Sequence, residues 1–245
     1  MTMSMRRTAL ALAAVAALLA GCGGNAGDGA DVAAWATPAD NGIAALAPEQ
    51  ILERSLAATK AAKSFHIKGS AEDDGTPIRV DLKISGGDMH GTVTMQGATV
   101  EVLLVDDERF IRPDKKFWAL SAGAEAAATI TELMDGRWAV VPEDDQDLRG
   151  LFALAVVDKM FEPEGTVTKS EATEVAGTPA VGVVDEGGDG GTLWVARFGE
   201  PYPVRIDAPA GEEGEMTFTE FGAAFAEIKK PAAVDVVDLD KLAGR

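Results

Sequence analysis

The side chains able to do chemistry are few and poorly spaced for catalysis. The 245-residue chain holds two histidines, His66 and His90, and a single cysteine, Cys22. Each histidine lies in a strand-like stretch beside charged or polar neighbours. Neither has the spacing of a metal ligand or of a nucleophile–base pair, so both are expected on a solvated strand face. The acidic run at 143–147, EDDQD, lacks the glycine and the closing glutamate of a calcium loop. It is expected instead to begin a helix, with carboxylates at the positive end of the dipole. The glycine-rich GGDGG at 187–191 is shorter than a calcium-binding roll repeat and predicts a hairpin turn. No GxSxG, HExxH, GxGxxG or phosphate-loop motif occurs. The expectation is therefore no catalytic residue, no metal and no cofactor: not an enzyme.

Cys22 has a different chemistry open to it. Residues 1–7 carry Arg6 and Arg7 and no acid, and 9–20 are an unbroken apolar run. Twelve residues cannot cross a bilayer, which takes about 20, but they suit the core of an export signal. The run ends Leu19-Ala20-Gly21-Cys22, the pattern of a bacterial lipobox. There the thiol receives a diacylglyceryl group and cleavage makes the cysteine the new N-terminus. With no second cysteine to pair with, acylation is the role that Cys22 predicts. The wider twin-arginine consensus is missing, which favours the general secretory route. The chain is thus expected to be exported and lipid-anchored on the outer face of the cell membrane: 1–21 signal, 22–47 flexible tether, 48–232 one domain, 233–245 tail.

A third group is the basic and aromatic cluster Arg109, Arg112, Lys115 and Lys116 around Phe110, Phe117 and Trp118, dense for so acidic a protein. It is either a headgroup contact at the mouth of a cavity or a charged hairpin tip. Loss of residues 1–22 leaves 20 basic against 40 acidic residues and a net charge of −20. That excludes a nucleic-acid surface and electrostatic adsorption to anionic headgroups.

The elements that would position these residues emerge from periodicity. Residues 48–63 have apolar positions at helical spacing behind Pro48. From Ser64 the period becomes two: Ile78, Val80, Leu82 and Ile84 alternate with polar residues, as do Val93, Met95, Val100 and Val102, with turn residues between the runs. The alternation continues through 109–112, and 117–120 is expected to return as a strand. Alanine-rich 122–134 and a short 137–141 segment come next. Then 148–160, with Leu151 and Phe152, predicts one buried helix. Strands are expected at 166–174, 180–185, 192–196, 204–208 and 215–221, and a last one at 225–228. Helices gathered between two runs of antiparallel strands make an α+β fold, and about eleven strands must curl or close. The large face of Ile78, Val80, Leu82, Ile84, Val93, Met95, Val100, Val102 and Leu104 needs a partner. Helices carrying Leu151 and Phe152 either fill it, giving an ordinary core, or only roof it, leaving an apolar cavity.

Several segments, in order, are similar to the actinobacterial lipoprotein family of LppX, LprA, LprF and LprG, relatives of the LolA-like lipid carriers. ATKAAKSFHIKGS resembles the family's first helix running into its first strand. VDLKISGGDMHGTVTMQGATVEVLLVDDERFIRPDKKFWAL resembles its meander. GTLWVARFGEPYPVRID resembles a later hairpin, and MTFTEFG with Pro231 its closing strand. The resemblance spans about 51–231. It implies a curved antiparallel half-barrel with helices over its concave face and a cavity for the acyl chains of a lipid or glycolipid. Membrane lipid would be both anchor and ligand, and a carrier of this kind would meet an envelope transport partner. The alternative is a surface-attached interaction or sensor module with a packed core.

Overall fold

A computed structural model of the chain describes residues 39–238, apart from 74, 143, 144, 146, 147 and 189. The chain divides into two units, Met1–Thr37 and Pro38–Arg245. The first holds the expected signal, Cys22 and most of the tether, all outside the described residues. The second holds every described residue.

Helix α1 (Pro48–Ala62) starts on a proline, with the Ala47 amide donating to the Gln50 side chain, and ends at Lys63 in the left-handed conformation. Five strands then meander: β1 (Ser64–Asp73), β2 (Thr76–Ser85), β3 (Asp88–Met95), β4 (Ala98–Val105) and β5 (Glu108–Pro113). Helices α2 (Lys115–Ala122) and α3 (Ala124–Met134) form a hairpin before β6 (Trp138–Val141). Two consecutive 3-10 helices, Arg149–Ala155 and Val157–Phe161, cross back over the sheet. Strands β7 (Val167–Lys169), β8 (Thr173–Val175), β9 (Thr178–Asp185), β10 (Thr192–Ala196), β11 (Pro203–Asp207), β12 (Glu215–Thr219) and β13 (Val236–Val237) complete it. They form one unclosed thirteen-stranded sheet, antiparallel except where β13 lies parallel to β6, in the order β13-β6-β5-β4-β3-β2-β1-β12-β11-β10-β9-β7, with β8 paired to β9. The α+β half-barrel expected from the sequence is the fold observed.

Two glycines mark tight crossings within long strands. A β-carbon on Gly69 would fall 1.9 Å from the Glu215 carbonyl oxygen of β12, and one on Gly91 would fall 2.0 Å from that of Asp81 on β2. Only glycine lets the backbones approach there, a common device for bending a sheet.

One face of the sheet is apolar and covered. Phe65, Ile67, Leu82, Ile84, Val100, Val102 and Ile111 form a single cluster with Leu151, Phe152 and Ala155 of the first 3-10 helix. A second cluster joins Ile43 and Ile51 to Val181, Val183, Leu193 and Val195 under α1.

The structure corrects several expectations. Residues 117–120 are helical because the Asp114 carboxylate caps the turn, accepting from the Phe117 amide at 2.7 Å; an uninterrupted apolar tetrad carries no period to separate strand from helix. The predicted helix at 148–160 is two 3-10 pieces broken at Val156 (φ −90°, ψ 85°), with Gly150 weakening the first turn. The expected strand at 225–228 is a turn, closed by the Ile228 amide on the Phe225 carbonyl. The end of the expected tether is docked: Asn41 bonds to Arg197, Ala196 and Gly199, and Ile43 is 2% exposed. The expected tail supplies β13, with 239–245 outside the described residues.

Candidate functional site

A cavity of about 320 Å³ opens beneath the first 3-10 helix, toward the end of the sheet that carries the β1–β2 turn. It is lined by Ala71, Ile78, Val80, Val93, Met95, Gly150, Leu151, Leu154 and Met216; none of these side chains can make a strong hydrogen bond. Two features of sequence create it. By strand register the inward positions of β1 shrink from Phe65 and Ile67 to Gly69 and Ala71, so the floor deepens toward the β1–β2 turn. Above it the roof is narrow. A 3-10 helix repeats every three residues, so Leu151 and Leu154 fall on the cavity side, while Phe152 and Ala155 take another side.

The inward strand residues named from the sequence divide accordingly. Ile78, Val80, Val93, Met95 and Leu151 line the cavity. Leu82, Ile84, Val100 and Val102 lie on the same face but are buried in the packed cluster. Leu104 and Phe152 face a separate open trough of about 1110 Å³ near the β2–β3 turn, lined also by Gly86, Gly87, Asp107, Arg109, Arg149, Gly150, Ala153 and residues 155–159. Ala71, Gly150, Leu154 and Met216 line the cavity without having been picked out. Leu154 carried a usable signal in its three-residue spacing from Leu151; Met216 reaches the cavity only through the β1–β12 pairing.

The basic and aromatic cluster is dispersed. Arg109 lines the trough. Arg112 points to the opposite, outer face, where it pairs with Glu101 at 2.6 Å and lies 4.6 Å from the Trp138 ring centre. Lys115 and Lys116 are exposed at the start of α2, and Trp118 is buried against Phe117.

Both histidines are on the outer face, clamped by carboxylates. His66 meets Asp81 at 2.7 Å through one ring nitrogen and Glu220 at 2.9 Å through the other. His90 meets Glu101 at 2.9 Å. The His90 hydrogen bond, with that of Arg112, holds the Glu101 carboxyl below its ordinary range. Burial alone would raise Asp81, but hydrogen bonds from Lys68 and His66 outweigh it and hold it low. Asp185, before the glycine-rich turn, accepts from the amides of Gly187 (2.9 Å), Glu164 (2.7 Å) and Gly165 (3.0 Å), and is held low chiefly by the Gly187 bond. Among the described residues no group of three histidine, cysteine or acidic side chains could hold a metal. Of the acidic run, Asp145 accepts from the Leu148 amide at 3.0 Å, just ahead of the 3-10 helix; the rest is outside the described residues.

The cavity's mouth is acidic. It shares Ala71 and Met216 with a hollow of about 550 Å³ bordered by Glu72, Asp207, Glu212 and Glu215.

No protein-family model and no curated protein matches the sequence. Among solved structures the chain is similar to LprF from Mycobacterium bovis, at 17% identity and a TM-score of 0.49, covering 76% of this chain and 97% of that one. It is similar to the Mycobacterium tuberculosis lipoprotein LppX at 14% identity and a TM-score of 0.45, over 77% and 98% of the two chains. MucB is a third, at 20% identity and a TM-score of 0.39, over 77% of this chain and 63% of its own. LprF and LppX are two of the four proteins that the sequence segments resemble.

Proposed function

We propose that the chain is an exported lipoprotein, acylated at Cys22, whose half-barrel binds the acyl chain of a membrane lipid or glycolipid and carries it through the cell envelope. The observation that carries this reading is the aliphatic cavity of about 320 Å³, at the lower end of ligand-site volumes. At about 30 Å³ per methylene-sized group, it takes one chain segment of about ten methylenes. Moving such a segment out of water is worth about 8 kcal/mol, and leaving a bilayer costs a similar amount. Exchange between membrane and cavity is then nearly neutral, which is what reversible carriage requires. No helix among the described residues is long and apolar enough to cross a membrane; the lipobox pattern ending at Cys22 is what supports attachment there.

Native mass spectrometry of the purified full chain is the test. Bound acyl lipid is expected on the wild type and lost from Ala71→Phe, which fills the mouth from a half-buried position. Lipid-free protein from several hosts would overturn the reading. Separately, Cys22→Ala should shift the protein from the membrane to the soluble fraction. A second reading, a docking module, is favoured by Leu120 and Leu133 of the α2–α3 hairpin, 55% and 44% exposed.

A further inference from the structure

We infer that the trough at the β2–β3 turn end is a second binding site, for a phosphate-headed amphiphile, separate from the aliphatic cavity. Three observations lead there. The first is charge. Eight of the basic side chains are ion-paired with carboxylates: Lys60, Lys68, Lys83, Arg112, Lys159, Arg197, Arg205 and Lys230. Arg109 from β5 and Arg149 from the 3-10 helix are not paired with any described residue, yet both border this one trough. In a chain of net charge −18, two guanidiniums from separate elements, neither in an ion pair with a described residue, thus border one trough. A guanidinium matches the fork of phosphate oxygens geometrically as well as in charge.

The second observation is apolar surface beside that charge. Leu104, Phe152, Ala155, Val156 and Val157 border the trough, and Val156 stays 51% exposed. A free ion has no use for this surface; an alkyl chain does.

The third is contrast with the cavity, whose mouth is bordered by Glu72 and Glu212 together with Asp207 and Glu215, four carboxylates of which only the last two share a cation, Arg205. An anionic headgroup is repelled there and attracted to the trough. The two spaces meet only at Gly150, with the 3-10 helix between them. Of the acids on the trough, Asp158 is neutralised by Lys60. Asp107, exposed at the β4–β5 turn, opposes the arginines and sets a limit on the affinity. The site does not depend on the cavity holding a lipid.

The test is calorimetric titration of the full chain carrying Cys22→Ala, so that no acyl group of its own competes, with dodecyl phosphate, dodecanol and inorganic phosphate. Dodecyl phosphate should bind at least tenfold tighter than dodecanol. The double variant Arg109→Gln/Arg149→Gln, at solvent-accessible positions, should abolish that preference and keep dodecanol binding. Asp107→Asn should tighten dodecyl phosphate. Ala71→Phe should weaken dodecanol and leave dodecyl phosphate unchanged, which separates failure of this site from failure of the cavity. Unaltered dodecyl phosphate affinity in the double variant would overturn the assignment. So would loss of that affinity in Ala71→Phe alone, which moves the ligand to the cavity. Inorganic phosphate binding as tightly as dodecyl phosphate would reduce the trough to an ion site and equally overturn it.

Discussion

The two halves of the covered sheet face are built from similar strands but roofed differently. Over β9 and β10 lies α1, fifteen residues of regular helix, and its stripe meets Val181, Val183, Leu193 and Val195, none more than 7% exposed. Over β1 to β4 lies a seven-residue 3-10 helix, which brings only Leu151 and Leu154 to the cavity side. The first half keeps only a pocket of about 190 Å³ bordered by Leu52, Val183 and Leu193, and the second keeps the larger aliphatic cavity. Empty space here results from a floor deepened by Gly69 and Ala71 and a roof too narrow to fill it.

That comparison can be broken in graded ways. Ile51→Ala under α1 should cost about 2–5 kcal/mol in urea unfolding, since the removed atoms leave a void that close packing cannot refill. A smaller loss would mean that α1 is packed no more closely than the 3-10 roof. Asp185→Ala removes the carboxylate that holds three backbone amides at the edge of the same half, two of them open to water; about 1–2 kcal/mol is expected, from the net loss of hydrogen bonds to a charged acceptor, again by urea unfolding. Leu154→Ala should cost only about 1 kcal/mol, because the side chain is partly exposed and borders the cavity, and a cost matching that of Ile51→Ala would erase the distinction between roofs. The smallest effect is electrostatic. Glu101, on the outer face of the open half, is held below its ordinary value of 4.5 by His90 and Arg112. A depressed carboxyl contributes stability above its unfolded value, and loses it as pH falls through the folded one. The Tm difference between wild type and Glu101→Gln should therefore be full at pH 7, begin to shrink as pH falls below the ordinary value of 4.5, and vanish only below the depressed folded value. A difference that does not change as pH falls below 4.5 would show that packing, not charge, is being measured.

The sequence was legible wherever the signal was local. Helix α1 and the meander β1 to β4 reflect periods of 3.6 and 2, and the inward set beginning with Ile78 and Val80 lies on one face as alternation demands. Which members of that set line open space was not legible. Val80 and Leu82 are two residues apart with the same orientation; only where the 3-10 helix crosses decides that Val80 borders the cavity while Leu82 is wholly buried. The basic cluster failed as a unit for a related reason. Arg109 and Arg112 are an odd number of residues apart on one strand and so face opposite sides of the sheet, a separation that density along the chain conceals. The partner of Arg109, Arg149, lies forty residues away and no local pattern joins them.

The two-residue strand β13 is easily overlooked, yet it stands between β6 and solvent. A sheet that never closes has two raw edges, each a template for another chain. At one of them β6 presents Trp138–Val141, and Val236 and Val237 occupy the first half of that row. Because these residues come after all the other strands in chain order, the edge stays unpaired throughout synthesis, until nearly the whole domain has emerged. A chain cut short of Val236 would retain its barrel and both ligand-sized spaces, but with an adhesive rim. Its predicted defect is self-association rather than loss of fold.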